Sequence, residues 1–379
     1  MDNSIKLSLA QMGGREQYWI NQAFTTGWIV PLGPNVDEFE RRLGEYLGTP
    51  GRVVALSAGT AALHLGLVML DVKPGDEVVC QSFTFSASAN PVKYLGASPV
   101  FVGSEKDTWN MDPALLDACI LDRLKKTGRK PKAIIPVHLY GMPAKMKEIL
   151  EVAAKWDIPV LEDAAEALGS ELDGHKCGTF GLYAALSFNG NKIITTSGGG
   201  ALVCPDEKAA SRVKFYATQA RENRPYYYHE VIGYNYRLSN VCAGIGVGQM
   251  EVLNEHVARR REIHGMYSEL LAHTPWLKVM DNPAENFDSN FWLSTITLNG
   301  DCGKTPDELR LFLAEKEIES RLLWRPMHMQ PVFADAPYYG AGNVEEHLFE
   351  RGLCLPSGSG LSNEQIERVA SAIIDFGGK

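Results

Sequence analysis

The 379-residue chain lacks closely spaced cysteines, apolar runs of membrane-spanning length and an excess of basic residues. Its seven cysteines are scattered without a C-x-x-C pair, so the pattern predicts neither a zinc site nor a redox pair. Acidic residues outnumber basic ones by 46 to 37, which gives a net charge of −9 and argues against broad nucleic-acid binding. The first residues do not resemble a signal peptide, and reduced thiols fit a cytoplasm. We therefore predict a cytoplasmic protein that has no membrane span and no nucleic-acid partner.

The length favours two domains, and the pattern of apolar runs predicts their fold class. Short runs alternate with helical patterns, and several runs are apolar on both faces, as in a mostly parallel sheet covered by helices. We expect an α/β fold with a seven-stranded sheet, whose strands lie near residues 52–56, 77–80, 99–102, 132–137, 158–161, 184–188 and 200–203.

The domain boundary is placed where the composition changes. We assign an N-terminal arm and a large domain to residues 1–250, and a linking helix with a smaller α+β domain to residues 251–379. The linking helix carries Arg259, Arg260 and Arg261 in sequence, and we interpret this run as a solvated face.

Lys192 is the most informative residue of the chain. It lies between a strand-like run that ends at Phe188 and a polar, glycine-rich turn, and it is followed by Ile193 and Ile194. Asp163 ends an earlier apolar run. A lysine that forms a Schiff base and an acid that holds a pyridinium nitrogen are the two groups that pyridoxal phosphate chemistry most needs. Taken singly, however, Lys192 also fits a surface lysine and Asp163 also fits a helix cap.

Two further stretches fit the same cofactor. Residues 57–62 place small side chains between a strand and a helix, where free amides at a helix start bind phosphate. Phe85 follows another strand and is a candidate to cover the cofactor ring. The alternatives are an ordinary strand–helix turn and a core phenylalanine. The small-residue turn, the strand-end acid and a lysine after a later strand, in this order, together argue against coincidence.

These residues resemble the DegT/DnrJ/EryC1/StrS sugar aminotransferases, which are pyridoxal phosphate enzymes of fold type I. The resemblance covers nearly the whole chain and includes GWIVPLG (27–33), SAGTAALH (57–64), EDAAEALG (162–169) and GYNYRLS (233–239). Within the family, the chain is most similar to the bacillosamine-pathway aminotransferase through NGNKIITTSGGG (189–200), TQAREN (218–223) and WRPMH (324–328). In the same loop, Ser197-Gly198 replaces a Gly-Glu that is common elsewhere in the family.

The resemblance implies a role for each matching residue. Lys192 would carry pyridoxal 5'-phosphate as an internal aldimine and move the proton, and Asp163 would hold the ring nitrogen. Glu166 would lie near the ring hydroxyl, where many relatives have Gln. The phosphate would be held by Gly59, Thr60 and Ser187 and, from the neighbouring subunit, by Asn235, which implies a homodimer with shared active sites.

The substrate is predicted from the subgroup alone. The resemblance implies transfer of an amino group from glutamate to C4 of a UDP-linked 4-keto-6-deoxy-N-acetylhexosamine. Arg237 and Arg325 are candidates for the diphosphate, and His328 for the sugar or nucleotide, against the alternatives of surface ion pairs and a structural histidine. A dTDP- or GDP-linked sugar, amination at C3, and a non-catalytic regulator that binds the cofactor or a sugar nucleotide remain open.

Overall fold

The computed structural model describes residues 4–300 and 303–378. The helices are α1 (Glu16–Thr26), α2 (Pro34–Leu47), α3 (Gly59–Met69), α4 (Asn90–Tyr94), α5 (Pro113–Thr127), α6 (Met146–Trp156), α7 (Glu207–Ala217), α8 (Asn240–Met250), α9 (Leu253–Leu270), α10 (Pro306–Glu315), α11 (Val344–Arg351) and α12 (Asn363–Gly377). The strands are β1 (Val53–Leu56), β2 (Glu77–Gln81), β3 (Ser98–Val102), β4 (Ala133–Ile135), β5 (Leu161–Asp163), β6 (Glu171–Leu172), β7 (His175–Lys176), β8 (Tyr183–Ser187), β9 (Gly200–Val203), β10 (Leu277–Val279), β11 (Phe287–Asp288), β12 (Thr295–Leu298), β13 (Arg321–Leu322), β14 (Tyr338–Tyr339) and β15 (Gly352–Cys354).

All seven predicted strands are present and form one central sheet. Two four-stranded groups, β1-β9-β8-β5 and β4-β2-β3-β14, meet where Ile134 bridges Val160 and Val137 bridges Asp163, both in parallel. Only β9 runs antiparallel to its neighbours, which are β1 and β8. The mostly parallel, helix-covered sheet is thus confirmed, and the short β14 extends it by one strand.

One strand is displaced from its predicted position. The sequence places the fifth strand at residues 158–161, whereas β5 spans Leu161–Asp163. The amide of Ile158 instead bonds to the carbonyl of Ala153 at the end of α6, and Pro159 has no N–H to donate. The displacement makes Asp163 the last residue of the strand, at the carboxyl edge of the sheet.

The N-terminal arm packs against α8 through glycines. A Cβ atom on Gly244 would lie 2.8 Å from the side-chain amide of Asn35, and one on Gly246 would lie 2.8 Å from the ring of Phe39. Both contacts are closer than real Cβ atoms allow, so only glycine lets α2 approach α8 this closely. Phe39 is fully buried there and belongs to the largest apolar cluster.

The C-terminal part builds its own antiparallel sheet in the order β10-β12-β15-β13. Its apolar cluster includes residues from α9, α10 and α12. Thr305 and Ser362 each form a complete capping box at the starts of α10 and α12.

The domain division at residue 250 stays a prediction, and two segments cross it. Ile5 bridges Ile318 in parallel, so the N-terminal strap, residues 5–12, begins on the C-terminal unit. In the opposite direction, β14 pairs with β3 of the large sheet.

No helix within the described residues combines the length and apolarity that crossing a bilayer requires. The six described cysteines are free thiols, and Cys302 lies outside the described residues.

The interpretation of the arginine run as a solvated face is wrong. Arg260 is 1% exposed. Arg259 donates to the carbonyl of Leu361, and Arg261 donates to the carbonyl of Ser289. The pattern misled because α9 is covered on more than one side by segments that are distant in sequence.

Candidate active site

A cavity of about 360 Å³ opens at the carboxyl edge of the central sheet, where ligands of such sheets bind. Its walls combine polar groups from several strand ends with apolar side chains from the C-terminal part. Seven residues selected from the sequence line it, namely Gly59, Thr60, Phe85, Asp163, Glu166, Ser187 and Lys192.

Lys192 points into this cavity and is not a surface lysine. Its side chain is 12% exposed, and Nζ lies 3.2 Å from Oε1 of Glu166. On another side, Nζ lies 3.8 Å from the ring centroid of Trp292. The next residues, Ile193 and Ile194, are buried in the core, so the chain is anchored immediately after the lysine.

Asp163 is held by two hydrogen bonds at the end of β5. Ser88 donates its hydroxyl to Oδ2 at 2.7 Å, and the amide of Ala165 donates to Oδ1 at 3.2 Å. Burial raises the pKa of Asp163, while these bonds and the nearby Lys192 act in the opposite direction. The alternative role as a helix cap is wrong, because no helix in the described residues begins between residues 164 and 170.

The neighbouring Glu162 supports the same strand end. Its buried carboxylate accepts hydrogen bonds from Nε2 of His138 at 2.9 Å and from the amides of Gly178, Phe180 and Gly181. Since the amide of Ala144 donates to Nδ1 of His138, the ring proton lies on Nε2 and points to Glu162. Four donors fix this carboxylate facing away from the cavity, so Glu162 is structural while Asp163 lines the site.

Glu166 bridges the lysine and the backbone. Its Oε1 accepts from Lys192, and its Oε2 accepts from the amide of Tyr140 at 2.7 Å. The side chain is 4% exposed, and burial raises its pKa to about 7 against the opposing influence of Lys192. The carboxyl group can therefore hold or release a proton near neutral pH.

The start of α3 forms an anion cradle. The residue before the helix, Ala58, has no side chain that could cap the free amides, so the N–H groups at Gly59 and Thr60 lack a capping partner. Space is tight, because a Cβ atom on Gly200 would overlap the amide of Gly59. Together with the hydroxyl of Ser187, which lines the same wall, this helix start suits a phosphate group.

Aromatic side chains form the opposite wall. Phe85 is 57% exposed at the cavity and lies 5.5 Å from Trp324 between ring centroids. The core position belongs to Phe83, which is fully buried, so the alternative of a core phenylalanine is wrong for Phe85. Trp292 and Trp324 were not selected from the sequence. Trp324 lies in the quoted WRPMH motif, whereas Trp292 lies in none of the quoted motifs.

Asn235, which was predicted to reach the phosphate of the neighbouring subunit, and the predicted substrate residues lie outside this cavity. Asn235 and Arg237 line a separate surface depression, together with Arg221 and Arg224. Arg237 is not free to meet a diphosphate within this subunit, because its NH1 bonds Oε1 of Glu40 at 2.6 Å and the carbonyl of Ala55 at 3.0 Å. Its side chain is 7% exposed, so the ion pair is buried rather than superficial.

His328 is likewise engaged by the fold. Its Nδ1 lies 2.7 Å from the hydroxyl of Ser82, and Nε2 lies 3.0 Å from a carboxyl oxygen of Glu346. Its ring also stacks on Tyr338 at 3.7 Å between centroids. These contacts favour the structural alternative for His328. Arg325 is exposed and is not among the described residues that line the cavity.

Comparison with known proteins decides the family. The model of the DegT/DnrJ/EryC1/StrS aminotransferase family matches residues 10–374. The chain belongs to this family. EpsN of Bacillus subtilis, which carries the provisional name of a pyridoxal phosphate-dependent aminotransferase, is 49% identical over 99% of this chain and 96% of its own.

The names of two other relatives contain different nucleotides, GDP in one and UDP in the other. GDP-perosamine synthase of Caulobacter vibrioides is 37% identical, with 97% of each chain covered. A UDP-N-acetyl-3-dehydro-alpha-D-glucosamine 3-aminotransferase of Acidithiobacillus ferrooxidans is 36% identical over 84% of this chain and 83% of its own.

Solved structures agree with the fold and the cofactor. A DegT DnrJ EryC1 StrS aminotransferase from Brucella abortus superposes with a TM-score of 0.89 at 32% identity, with 96% of both chains covered. The pyridoxal phosphate form of the sugar aminotransferase Spr1654 from Streptococcus pneumoniae has a TM-score of 0.89 at 25% identity, with 99% of both chains covered. The chain is therefore a pyridoxal phosphate-dependent sugar aminotransferase of fold type I. The cavity fits that cofactor, since it offers an anion cradle, an acid and an amine on one wall.

The raised pKa of Glu166 makes a prediction about stability. Its folded-state pKa of about 7 lies above its ordinary value of 4.5, so the native state binds more protons than the unfolded state between these pH values. This group therefore lowers the free energy of unfolding as pH rises. We expect Glu166→Gln to remove the effect, so the difference in free energy of unfolding, variant minus wild type, should become more positive by roughly 3 kcal/mol across that window.

Urea denaturation of the cofactor-free proteins at several pH values measures this difference. Glu148→Gln, on an exposed position of α6, is the matched control and should give a constant difference. A pH-independent difference for Glu166→Gln would contradict the proposed burial of its charge.

Proposed function

We propose that this enzyme transfers an amino group from glutamate to C4 of a UDP-linked 4-keto-6-deoxy-N-acetylhexosamine. The observation that carries the transaminase chemistry is the single cavity that joins the Lys192 amine, the Asp163 carboxyl group and the start of α3. The choice of UDP and of C4 is supported by the bacillosamine-type sequence around Lys192. A GDP-linked sugar or amination at C3 is an alternative, because relatives of similar identity carry such names. A dTDP-linked sugar is a further alternative that the sequence leaves open.

The residues of the cavity have different roles in the proposed reaction. Pyridoxal phosphate, when bound, supplies the carbonyl group that carries nitrogen and the ring that accepts electrons. The amides of Gly59 and Thr60 and the hydroxyl of Ser187 would bind the phosphate, and Asp163 would keep a proton on the ring nitrogen. Phe85 would cover the ring.

Lys192 is the residue that moves protons at the reacting carbon atoms through its Nζ. A general base has to be unprotonated to do so, and Glu166 lies within hydrogen-bond distance to take up the proton that Lys192 releases. The surrounding tryptophans exclude water from the amine. The pair therefore combines a mobile proton with a dry environment, in which electrostatic contacts are strong.

The first test locates the cofactor. Borohydride reduction of the loaded enzyme followed by peptide mass mapping should place a pyridoxyl group on Lys192. Lys192→Ala should lose the label and lower the rate of the glutamate half-reaction by about 10³-fold, since the proton-transfer group is gone. Lys176→Ala, which removes a lysine paired with Glu171 away from the cavity, is the control and should keep both. A label on another lysine would refute the assignment.

The second test concerns the substrate. Wild-type enzyme is supplied with glutamate and a panel of UDP-, dTDP- and GDP-linked keto-sugars, and the products are identified by mass spectrometry and NMR. We expect the UDP-linked 4-keto-6-deoxy sugar to have a kcat/KM at least about tenfold above the others, with nitrogen at C4. Higher efficiency with another nucleotide, or nitrogen at C3, would replace this substrate. Binding without turnover of every sugar would support the non-catalytic regulator.

We further propose that two subunits share their active sites. Exposed apolar side chains are concentrated on the arm and on the segment before Asn235, and such patches mark interfaces. They include Phe24, Trp28, Ile29, Leu32, Tyr226, Tyr227 and Ile232. Asn235 would contact the phosphate held by the partner subunit, which explains why it lies away from the cavity of its own chain.

Subunit mixing tests this sharing. Lys192→Ala and Asn235→Ala each damage a different half of a shared site, so each pure variant should have low activity. After equal amounts are mixed and allowed to exchange, half of the dimers carry one intact site, and we expect about a quarter of wild-type activity. Activity that stays at the mean of the two variants, with exchange confirmed by native mass spectrometry, would show that each subunit works alone.

A further inference from the structure

We propose that Arg260 is a positioning residue for Lys192. It lies on α9 and does not line the cavity, but a closed ring of hydrogen bonds connects it to the peptide unit that precedes the lysine. The proposal rests on the role of Lys192 as the residue that carries the cofactor.

Arg260 is a buried cation without an acidic partner among the described residues. It is 1% exposed, and burial lowers its pKa to about 10, so the guanidinium is still charged at neutral pH. Its NH1 donates to the carbonyls of Trp292 at 2.6 Å and Ser357 at 2.9 Å, and its NH2 donates to the hydroxyl of Ser8 at 3.1 Å. Burying a charge is costly, and here only neutral acceptors on three separate segments offset the cost.

Two of the residues that accept hydrogen bonds from Arg260 also donate to one common oxygen atom. The hydroxyl of Ser8 donates to the carbonyl of Asn191 at 2.9 Å, and the indole Nε1 of Trp292 donates to the same carbonyl at 2.7 Å. The single hydroxyl proton of Ser8 is used in this bond, so its oxygen is the acceptor for Arg260. Arg260, Ser8, Asn191 and Trp292 thus close a ring across four parts of the chain.

The ring fixes Lys192 from two sides. The carbonyl of Asn191 belongs to the same planar peptide unit as the amide of Lys192, so two donors on that carbonyl set the orientation of the lysine backbone. The indole of Trp292 is also the surface over which Nζ lies at 3.8 Å. Loss of Arg260 would free both Ser8 and the Trp292 backbone, and therefore both constraints on the amine.

The arginine run itself supplies matched controls. Arg259 donates to the carbonyl of Leu361 and pairs with the carboxylate of Glu262. Arg261 pairs with the carboxylate of Asp288 and donates to the carbonyl of Ser289. Both join α9 to its surroundings as Arg260 does, but neither is bonded to Ser8, Asn191 or Trp292. If a substitution acts by loosening α9, replacement of any of the three arginines should have the effect. If it acts by breaking the ring, only replacement of Arg260 should have it.

The experiment separates attachment from binding. Cofactor-free Arg260→Met, Arg259→Met and Arg261→Met are mixed with pyridoxal phosphate, and covalent attachment to Lys192 is followed by absorbance and confirmed by reduction and mass mapping. In parallel, the affinity for 4'-deoxypyridoxine 5'-phosphate is measured, because this analogue has the ring and phosphate but no aldehyde. For Arg260→Met we expect attachment to slow by about ten- to a hundredfold while the affinity for the analogue is unchanged. The two control variants should match wild type in both.

Milder variants keep the test decisive if Arg260→Met does not fold. Ser8→Ala removes one donor to Asn191 and should slow attachment while leaving analogue affinity unchanged. Trp292→Phe removes the other donor and should slow attachment by a larger factor than it lowers analogue affinity, because this side chain also lines the cavity. Attachment at the wild-type rate in the folded variants would overturn the proposal, and so would an equal loss of attachment and analogue affinity. If wild-type enzyme itself acquires no label on Lys192, the proposed catalytic role fails instead, so the two failures are distinguishable.

Discussion

The contact between the Lys192 amine and the Glu166 carboxyl group is the interaction on which the site depends. Both side chains are almost completely buried, and the separation of 3.2 Å lets them share or exchange a proton. Burial raises the pKa of Glu166 and of Asp163, whereas the lysine opposes this in both. The cavity therefore holds one base and two acids in a balance that a change of one partner would disturb. Such perturbed groups in a cleft are typical of catalytic sites.

The fold holds this balance by fixing each partner from a different direction. Asp163 ends β5 and is held by Ser88, which follows β2 on the other side of β4, so two parallel strands of the same sheet set its position. Glu166 is held by the amide of Tyr140, which lies in a tight turn with a positive φ of 55°. Lys192 is held by the buried isoleucines that follow it and by the ring that contains Arg260. Because these anchors are backbone groups and buried side chains, the amine and the acids keep their geometry before any ligand binds.

The sequence was sufficient for the parts of this arrangement that have local signals. Apolar runs located the strands, and the residues directly after those runs included Asp163, Ser57 and Phe85, since parallel strands place their carboxyl ends at one edge. Partners contributed by distant segments had no such signal. Trp292 and Arg260 lie about 100 and about 70 residues from Lys192 in the sequence, and only the packed fold shows that α9 is covered. Arg237 and His328 show the same limit, because motif membership did not reveal that Glu40 pairs with Arg237 or that Glu346 and Tyr338 contact His328.

The placement of charge around the cavity explains how one family can use several sugar nucleotides. Among the described lining residues, Arg321 is the only cation besides Lys192, and its side chain is 67% exposed at the mouth. A cavity of about 360 Å³ is at the small end of ligand pockets, so we expect a bound cofactor to occupy much of it and the nucleotide of the proposed substrate to extend outside. There the nucleotide would contact loop residues at the rim, and loops vary more among relatives than the elements they connect. Nucleotide preference can consequently differ between relatives while the amine, the acids and the phosphate cradle stay the same.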